Sequence, residues 1–460
     1  NDTITHDPNF SCSQELHLQA DIAMSQWEYY EATGDRNWLR SHGWPVLQAL
    51  AQFWVSKAVP DKRVAGGYDI SPIQPPDEYH TGVTNSAYTN AAAATALRDA
   101  VQAAHVVRVT PPAIWTTLAD GVTKTMPFDS SQNIYDEYAG YNGEQIKQAD
   151  VVMLTYPIDF SMPSGVGLSD LNYYAPRTDL QGPAMTDAIH SIDASTLNAA
   201  GCSAYTYMLR SYEPFLRAPY DQFAETRTGP NTGFNFLTGV GGFLQVFEYG
   251  YSGLRFTPDA IQLDPSLSPQ LQGITLNNLQ WHGRVFTITI GPQSTQVRLN
   301  SGSALPVQTP NGTHTVSTGQ SITIPTRRPD LQPTTDLARC QSVTASSWVP
   351  GNEPVAAVDG SPSTPWVPTG PQATLTVNLG KTETINQVTV NRGGTGSYTY
   401  NLEISTDGTT WQTVGSSPSS STGNDTITFS PTQAQYVRLD FPGGSGADTP
   451  QIDELSVTGP

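Results

Sequence analysis

Glu78 stands in the run Gln74-Pro75-Pro76-Asp77-Glu78-Tyr79-His80, which puts two carboxylates, a phenol and an imidazole into a loop stiffened by prolines. Asn85-Ser86-Ala87-Tyr88-Thr89-Asn90 follows and opens an alanine-rich stretch. A stiff loop can hold one carboxylic acid against a substrate atom. Protonation of a glycosidic oxygen demands that geometry. Hydrolysis of a glycoside uses a second carboxyl group as well. In an inverting mechanism it deprotonates water on the opposite face of the sugar, roughly 6.5–9.5 Å from the acid.

The elements that must position these groups are mainly helical over residues 13–250. Leu16, Ala20, Ala23, Trp27 and Tyr30 recur at helical spacing, and Gly34 supplies a stop. A second helix is predicted over 44–58, with Pro45 tolerated in its first turn. The clearest runs from Asn85 to about Val107, dominated by alanine and followed by Pro111-Pro112. Further helices are predicted near 112–125, 144–156, 185–212 and 236–249. From about 256 the hydrophobic period changes from 3.6 to 2: Ile274-Thr275-Leu276, Val285 to Ile290 and Val297-Arg298-Leu299 alternate as strands do. A proline-bearing linker covers 327–335. After it come short strands with turns at Asp359-Gly360 and Asp407-Gly408, the pattern of a β-sandwich.

Several words resemble glycoside hydrolase family 65, the family of acid trehalases, related α-glucosidases and disaccharide phosphorylases. They are Asp21-Ile22-Ala23, the Pro-Asp-Glu-Tyr-His run ending at His80, Asn85 to Asn90, Lys147-Gln148-Ala149-Asp150-Val151, Gly182-Pro183-Ala184-Met185-Thr186, and Phe236 to Gln245. They keep the family's order, and the last two are most like the acid trehalase branch. The resemblance implies part of an (α/α)6 barrel over 1–255, and a small β-sandwich domain over 256–326. It assigns Glu78 as general acid. It also makes Glu225, in Asp221-Gln222-Phe223-Ala224-Glu225-Thr226, the general base, with Asp221 in reserve. Lys147 and Gln148 match a pair that binds hydroxyls of the glucose at the cleaved end. Tyr79, His80, Asn85 and Tyr88 could line the acceptor subsite or brace the acid loop. Inverting hydrolysis of an α-glucosidic disaccharide is therefore expected, α,α-trehalose first. Kojibiose, nigerose or maltose hydrolysis, phosphorolysis, and a non-enzymatic carbohydrate-binding role are the alternatives. The Gly182–Thr186 stretch lacks the paired serines of a phosphate site, and a carboxylate aimed into such a site would repel the dianion. His17 and Asp21 share a helix face at i,i+4, but no third ligand accompanies them. No metal or cofactor is expected, and His17 reads as packing. The family's barrel begins well upstream of the acid motif, and only 77 residues precede Glu78 here. An N-terminal fragment of the same precursor is thus the expected partner.

Residues 336–460 resemble a discoidin domain (F5/8 type C, related to carbohydrate-binding module family 32). Ala357 to Trp366, Ile404 to Trp411 and Tyr436 to Leu439 carry the likeness. Such a domain implies a glycan ligand. Trp348 is a candidate stacking platform, and Trp366 reads as core. Pro365 stands where an arginine is common. The 460 residues carry a net charge of −19 with only 14 % charged side chains, which disfavours nucleic acid and anionic membranes as partners. Three cysteines, Cys12, Cys202 and Cys340, cannot all pair within one chain. Asn-x-Ser/Thr sequons begin at Asn1, Asn9, Asn311 and Asn424. Together these features point to a secreted protein, extracellular or cell-wall associated, with a vacuole as the other compartment.

Overall fold

The computed structural model describes residues 13–228, 233–417 and 423–460. They form two compact units. Of the described residues, the first holds those in 13–197, 244–265 and 273–326, and the second those in 198–243, 266–272 and 327–460.

The centre of the first unit is the helix Ala87–Val107. Ala91, Ala92, Ala93, Ala94, Ala96, Ala100, Ala103 and Ala104 are all buried in it. Side chains this small let three helices, Leu18–Thr33, Trp44–Lys57 and Ala113–Thr123, pack close to it. Ser86 caps its first turn by accepting the Thr89 N–H. Gly34 ends the first helix in the left-handed conformation (φ 66°), its N–H bonded to the Tyr30 carbonyl. Pro45 does sit in the first turn of the second helix.

Two helical expectations are corrected and one helix is added. Near 144–156 only the short 3-10 turn Val151–Leu154 forms. The predicted 185–212 helix is two, Asp187–Thr196 and Ser203–Tyr212. Gly201 separates them at φ 111°, where a Cβ would collide with the Asp359 carbonyl. The helix Val166–Tyr174 was not foreseen; its Ser, Asp and Asn residues blur the apolar stripe.

Two four-stranded sheets complete the first unit. One runs, in spatial order, Ser321–Pro325, Ser294–Ser301, Arg284–Ile290, Ile274–Trp281; the other runs Gly312–Val316, Leu305–Thr309, Ile261–Gln262, Arg255–Phe256. The three alternating segments read from the sequence lie in the first sheet, with Phe286, Ile288, Ile290, Val297 and Leu299 turned inward.

In the second unit, Gln372–Arg392 pairs antiparallel with Gly423–Pro442 and also with Ile452–Thr458. Ser342–Ala345, Asn401–Ser405 and Gln412–Ser416 extend that sheet. Trp366 is fully buried among Val358, Leu375, Val388, Leu439 and Phe441, as expected of a core residue. A disulfide joins Cys202, just ahead of the Ser203–Tyr212 helix, to Cys340. Cys12 lies outside the described residues. Among the described residues, no helix is long and apolar enough to cross a membrane.

Candidate active site

The acid-motif loop is closed at its base by an antiparallel bridge between Ile73 and Val83, with both backbone hydrogen bonds at 3.0 Å. The segment before the first helix docks on it. Gln14 accepts the Gly82 N–H through its side chain and the Gln74 N–H through its carbonyl, and Gln74 Nε2 donates to Glu15 Oε1 at 3.3 Å. Burial and the Glu78 carboxylate push Glu15 upward from the usual carboxylate range.

Asp77 is fully buried and works as an organising anion. Its Oδ2 accepts the backbone N–H groups of Tyr79 (3.1 Å) and His80 (3.2 Å), and lies 2.6 Å from His80 Nδ1. Its Oδ1 accepts the Lys147 N–H, and its own N–H donates to Asp150 Oδ2 at 3.1 Å. One carboxylate thus ties the loop to the Lys147–Asp150 segment. Between Asp77 and Tyr79, Glu78 adopts a left-handed backbone (φ 64°), an uncommon conformation for a residue with a Cβ. Its carboxyl meets Lys147 Nζ at 2.5 Å and Gln148 Nε2 at 3.3 Å, and its side chain stays 29 % exposed. Gln148 Nε2 also donates to the Pro76 carbonyl at 2.6 Å.

The Lys147-Gln148 segment has its own supports. Asp179 N–H donates to the Ile146 carbonyl, and the Thr186 hydroxyl accepts the Ala149 N–H at 2.9 Å. Gly182 lies against the Lys147 carbonyl so closely that a Cβ there would collide with it. The Gly182–Thr186 word is thus part of the scaffold behind Lys147.

Of the residues left between subsite and brace, Asn85 and Tyr88 are buried braces. Asn85 Oδ1 accepts the Ile70 N–H, Asn85 Nδ2 donates to Asp69, and the Tyr88 hydroxyl donates to Asp21 at 2.8 Å. Burial pushes Asp21 up to about 6 and His17 down to about 4. The His17 ring packs edge-on against Tyr88, which leaves it a packing residue. Tyr79 is exposed, its hydroxyl 2.7 Å from Asp179 Oδ2. His80 is fastened to Asp77, and its ring packs against Tyr138 and Tyr141.

Glu225 belongs to the second unit, whereas Glu78 belongs to the first. It follows the two-stranded ribbon Leu216–Arg217 with Gln222–Phe223, and its N–H donates to the Gly233 carbonyl at 2.8 Å. Arg217 fastens the loop. Its guanidinium donates to the carbonyls of Thr226 (2.7 Å), Arg227 (2.6 Å) and Pro214 (2.8 Å). Asp221 is exposed at the ribbon's turn, at φ 50°.

Residues 2–142 match the model of the glycosyl hydrolase family 65 central catalytic domain, and residues 254–316 match that family's C-terminal domain. These two stretches are glycosyl hydrolase family 65 domains. Residues 341–455 match the F5/8 type C domain. Among the relatives, a cell wall acid trehalase of Arthroderma benhamiae is 34 % identical over 79 % of this chain and 37 % of its own length. A kojibiose hydrolase of Mucilaginibacter mallensis is 37 % identical over 60 % of this chain and 40 % of its own length. A protein-glucosylgalactosylhydroxylysine glucosidase of Dictyostelium discoideum is 36 % identical over 60 % and 38 %. The chain therefore spans about two fifths of the length of these relatives. A solved structure described as a kojibiose phosphorylase from the human microbiome shares the fold. Its TM-score is 0.53, its identity 16 %, and it covers 67 % of this chain and 46 % of that one.

Reading the family words alone missed Asp77, Asp150 and Thr186 as positioning groups, although all three lie inside those words. Glu137, Asp179 and Arg217 had no sequence signal: each reaches its partner only through the fold.

Proposed function

We propose that this protein hydrolyses an α-glucosidic disaccharide with inversion, α,α-trehalose being the first substrate. Glu78 gives its proton to the bridging oxygen, and Glu225 takes one from the attacking water. The observation that carries this reading is the clasp on Glu78. A part-exposed carboxyl on a strained backbone is gripped by Lys147 Nζ and Gln148 Nε2. An ammonium has three donors, so Lys147 can hold both the carboxyl and a sugar hydroxyl. Gln148 Oε1 is buried and has no hydrogen-bond partner among the described residues. Arg217 gives Glu225 a loop with fixed carbonyls, as a base needs a fixed geometry.

The trehalose reading is supported by the extent of the matches. Named acid trehalases align with 79 % and 80 % of this chain, whereas kojibiose hydrolases align with 60 %. Kojibiose is the second reading, favoured by the 37 % identity of those hydrolases. The deciding experiment offers trehalose, kojibiose, nigerose and maltose to protein isolated from its source, with and without phosphate. Trehalose is cleaved without phosphate, releasing one β-glucose. Glu78→Gln and Glu225→Gln each lower kcat by roughly 10²–10⁴-fold. Full activity in either variant removes that residue from the mechanism, and glucose 1-phosphate as product replaces hydrolysis with phosphorolysis.

Residues 336–460 read best as a glycan-binding module following the 327–335 linker. Trp348 is 44 % exposed and lines a cavity of about 580 Å³, together with Tyr205, Gln270, Ser342 and Glu353. An aromatic face flanked by amide, hydroxyl and carboxyl groups suits a pyranose ring. The Cys202–Cys340 disulfide and the exposed sequon at Asn311 favour an extracellular or cell-wall setting.

A further inference from the structure

Behind Glu78 lies a set of titratable groups that the chemistry above does not use. Asp77, Glu137 and Asp150 are fully buried, and the His80 side chain is 18 % exposed. His80 Nδ1 stands 2.6 Å from Asp77 Oδ2 and 3.5 Å from Glu137 Oε2. Asp77, His80 and Glu137 each offer a metal-ligand atom within 4.8 Å of the others. The 2.6 Å separation decides what bridges them. Two ligands about 2.0–2.1 Å from a zinc ion, at a tetrahedral angle, stand roughly 3.3 Å apart, and calcium's longer bonds spread them further. A nitrogen and a carboxylate oxygen at 2.6 Å share a proton.

We propose that His80, as an imidazolium lying between Asp77 and Glu137, is a positioning residue for the acid Glu78. Its charge lets two buried carboxylates stand side by side, which neither would do ionised and alone. The loop geometry then follows from Asp77, whose oxygens take the N–H groups of Tyr79, His80 and Lys147. His80 thereby holds both ends of the clasp, the backbone beside Glu78 and the backbone of the lysine that grips it. The groups facing His80 agree with a retained proton. Glu137, Tyr138, Tyr141 and Glu144 approach from residues 137–144, and Asp77 lies on the imidazole with its own N–H bonded to Asp150. The Glu137 and Asp77 carboxylates push His80 up to about 9, while burial pushes Glu137 up to about 7 and Asp150 well above the carboxylate range.

The positioning role rests on Glu78 being the acid; the charge state does not. Imidazole NMR on the intact protein and on Glu78→Gln tests the charge state first. The His80 signal remains that of the imidazolium up to about pH 9 in both. Titration near the free value of about 6.5 overturns the proposal. A shift of that signal on adding zinc or calcium chloride would put a metal in the proton's place and overturn it too. Kinetics test the role. His80→Gln lowers kcat by 10- to 100-fold with KM within threefold, and removes the alkaline limb of the kcat–pH profile near pH 9. His80→Gln/Glu137→Gln, which removes the uncompensated charge, recovers at least tenfold of that loss. Unchanged kcat in His80→Gln, or no recovery in the double variant, refutes the positioning role. Activity surviving in Glu78→Gln strikes the acid assignment and the positioning role with it.

Discussion

Glu78 does two things that a loop glutamate ordinarily does not. It takes a left-handed backbone, and it sets a part-exposed carboxyl against a lysine and a glutamine. The left-handed backbone costs free energy in isolation, and the Asp77 hydrogen bonds offset it. At this scale the sharpest probe is Lys147→Met, which keeps length and removes the charge. Steady-state kinetics on trehalose should show kcat/KM reduced by roughly 10²-fold, with both constants affected, because Lys147 serves the acid and a sugar hydroxyl together. Wild-type constants in that variant would show that the 2.5 Å contact has no part in turnover.

The elements around the site are short, and irregular backbone carries much of the positioning. The central helix supplies a rigid floor because alanines let its neighbours come close. Over that floor, the 146–150 segment is held from behind by Asp179, Gly182 and Thr186. Gly182 is therefore a structural control on Lys147. Gly182→Ala must push the Lys147 carbonyl away, at a stability cost of about 1–3 kcal/mol. The expected outcome is a lower urea midpoint together with a kcat reduced by more than the loss of folded protein explains. A folded variant with unchanged kcat would separate that scaffold from the clasp. Periodicity could not reveal this region, since the segment is neither helix nor strand over most of its length. It was legible only as a family word. Its helical expectation failed for that same reason.

At the scale of the molecule, buried acids dominate both units. In the first, burial pushes Glu31 and Asp170 up to about 8, Glu137 to about 7 and Asp21 to about 6. In the second, burial pushes Glu353 up to about 8 and Asp359 to about 7. Their unfolded counterparts lose protons near pH 4. The folded chain thus binds more protons than the unfolded one from about pH 4 to 8, so raising pH through that window removes stability. His80 adds the same sense between about 6.5 and 9, and His17, lowered to about 4, opposes it between about 4 and 6.5. The net charge of −19 acts with the majority, through self-repulsion as carboxylates ionise. Thermal unfolding should therefore show a higher midpoint at pH 5 than at pH 8. A midpoint that rises with pH would mean these carboxyls are ionised in the folded state.

The sequence by itself determined the family words, the order of helices before strands, the alanine-rich helix, Gly34 as its neighbour's stop, and Trp366 as core. All of these depend on local composition, period or motif, which a linear chain displays directly. Only the tertiary structure decided that Cys202 pairs with Cys340, and that Glu78 faces Lys147 and Gln148. It alone set Glu137 beside His80 and Arg217 across the Glu225 loop. Those partners are 9 to 138 residues apart in the chain or lie on irregular backbone, and nothing in their neighbours records the distance that folding closes.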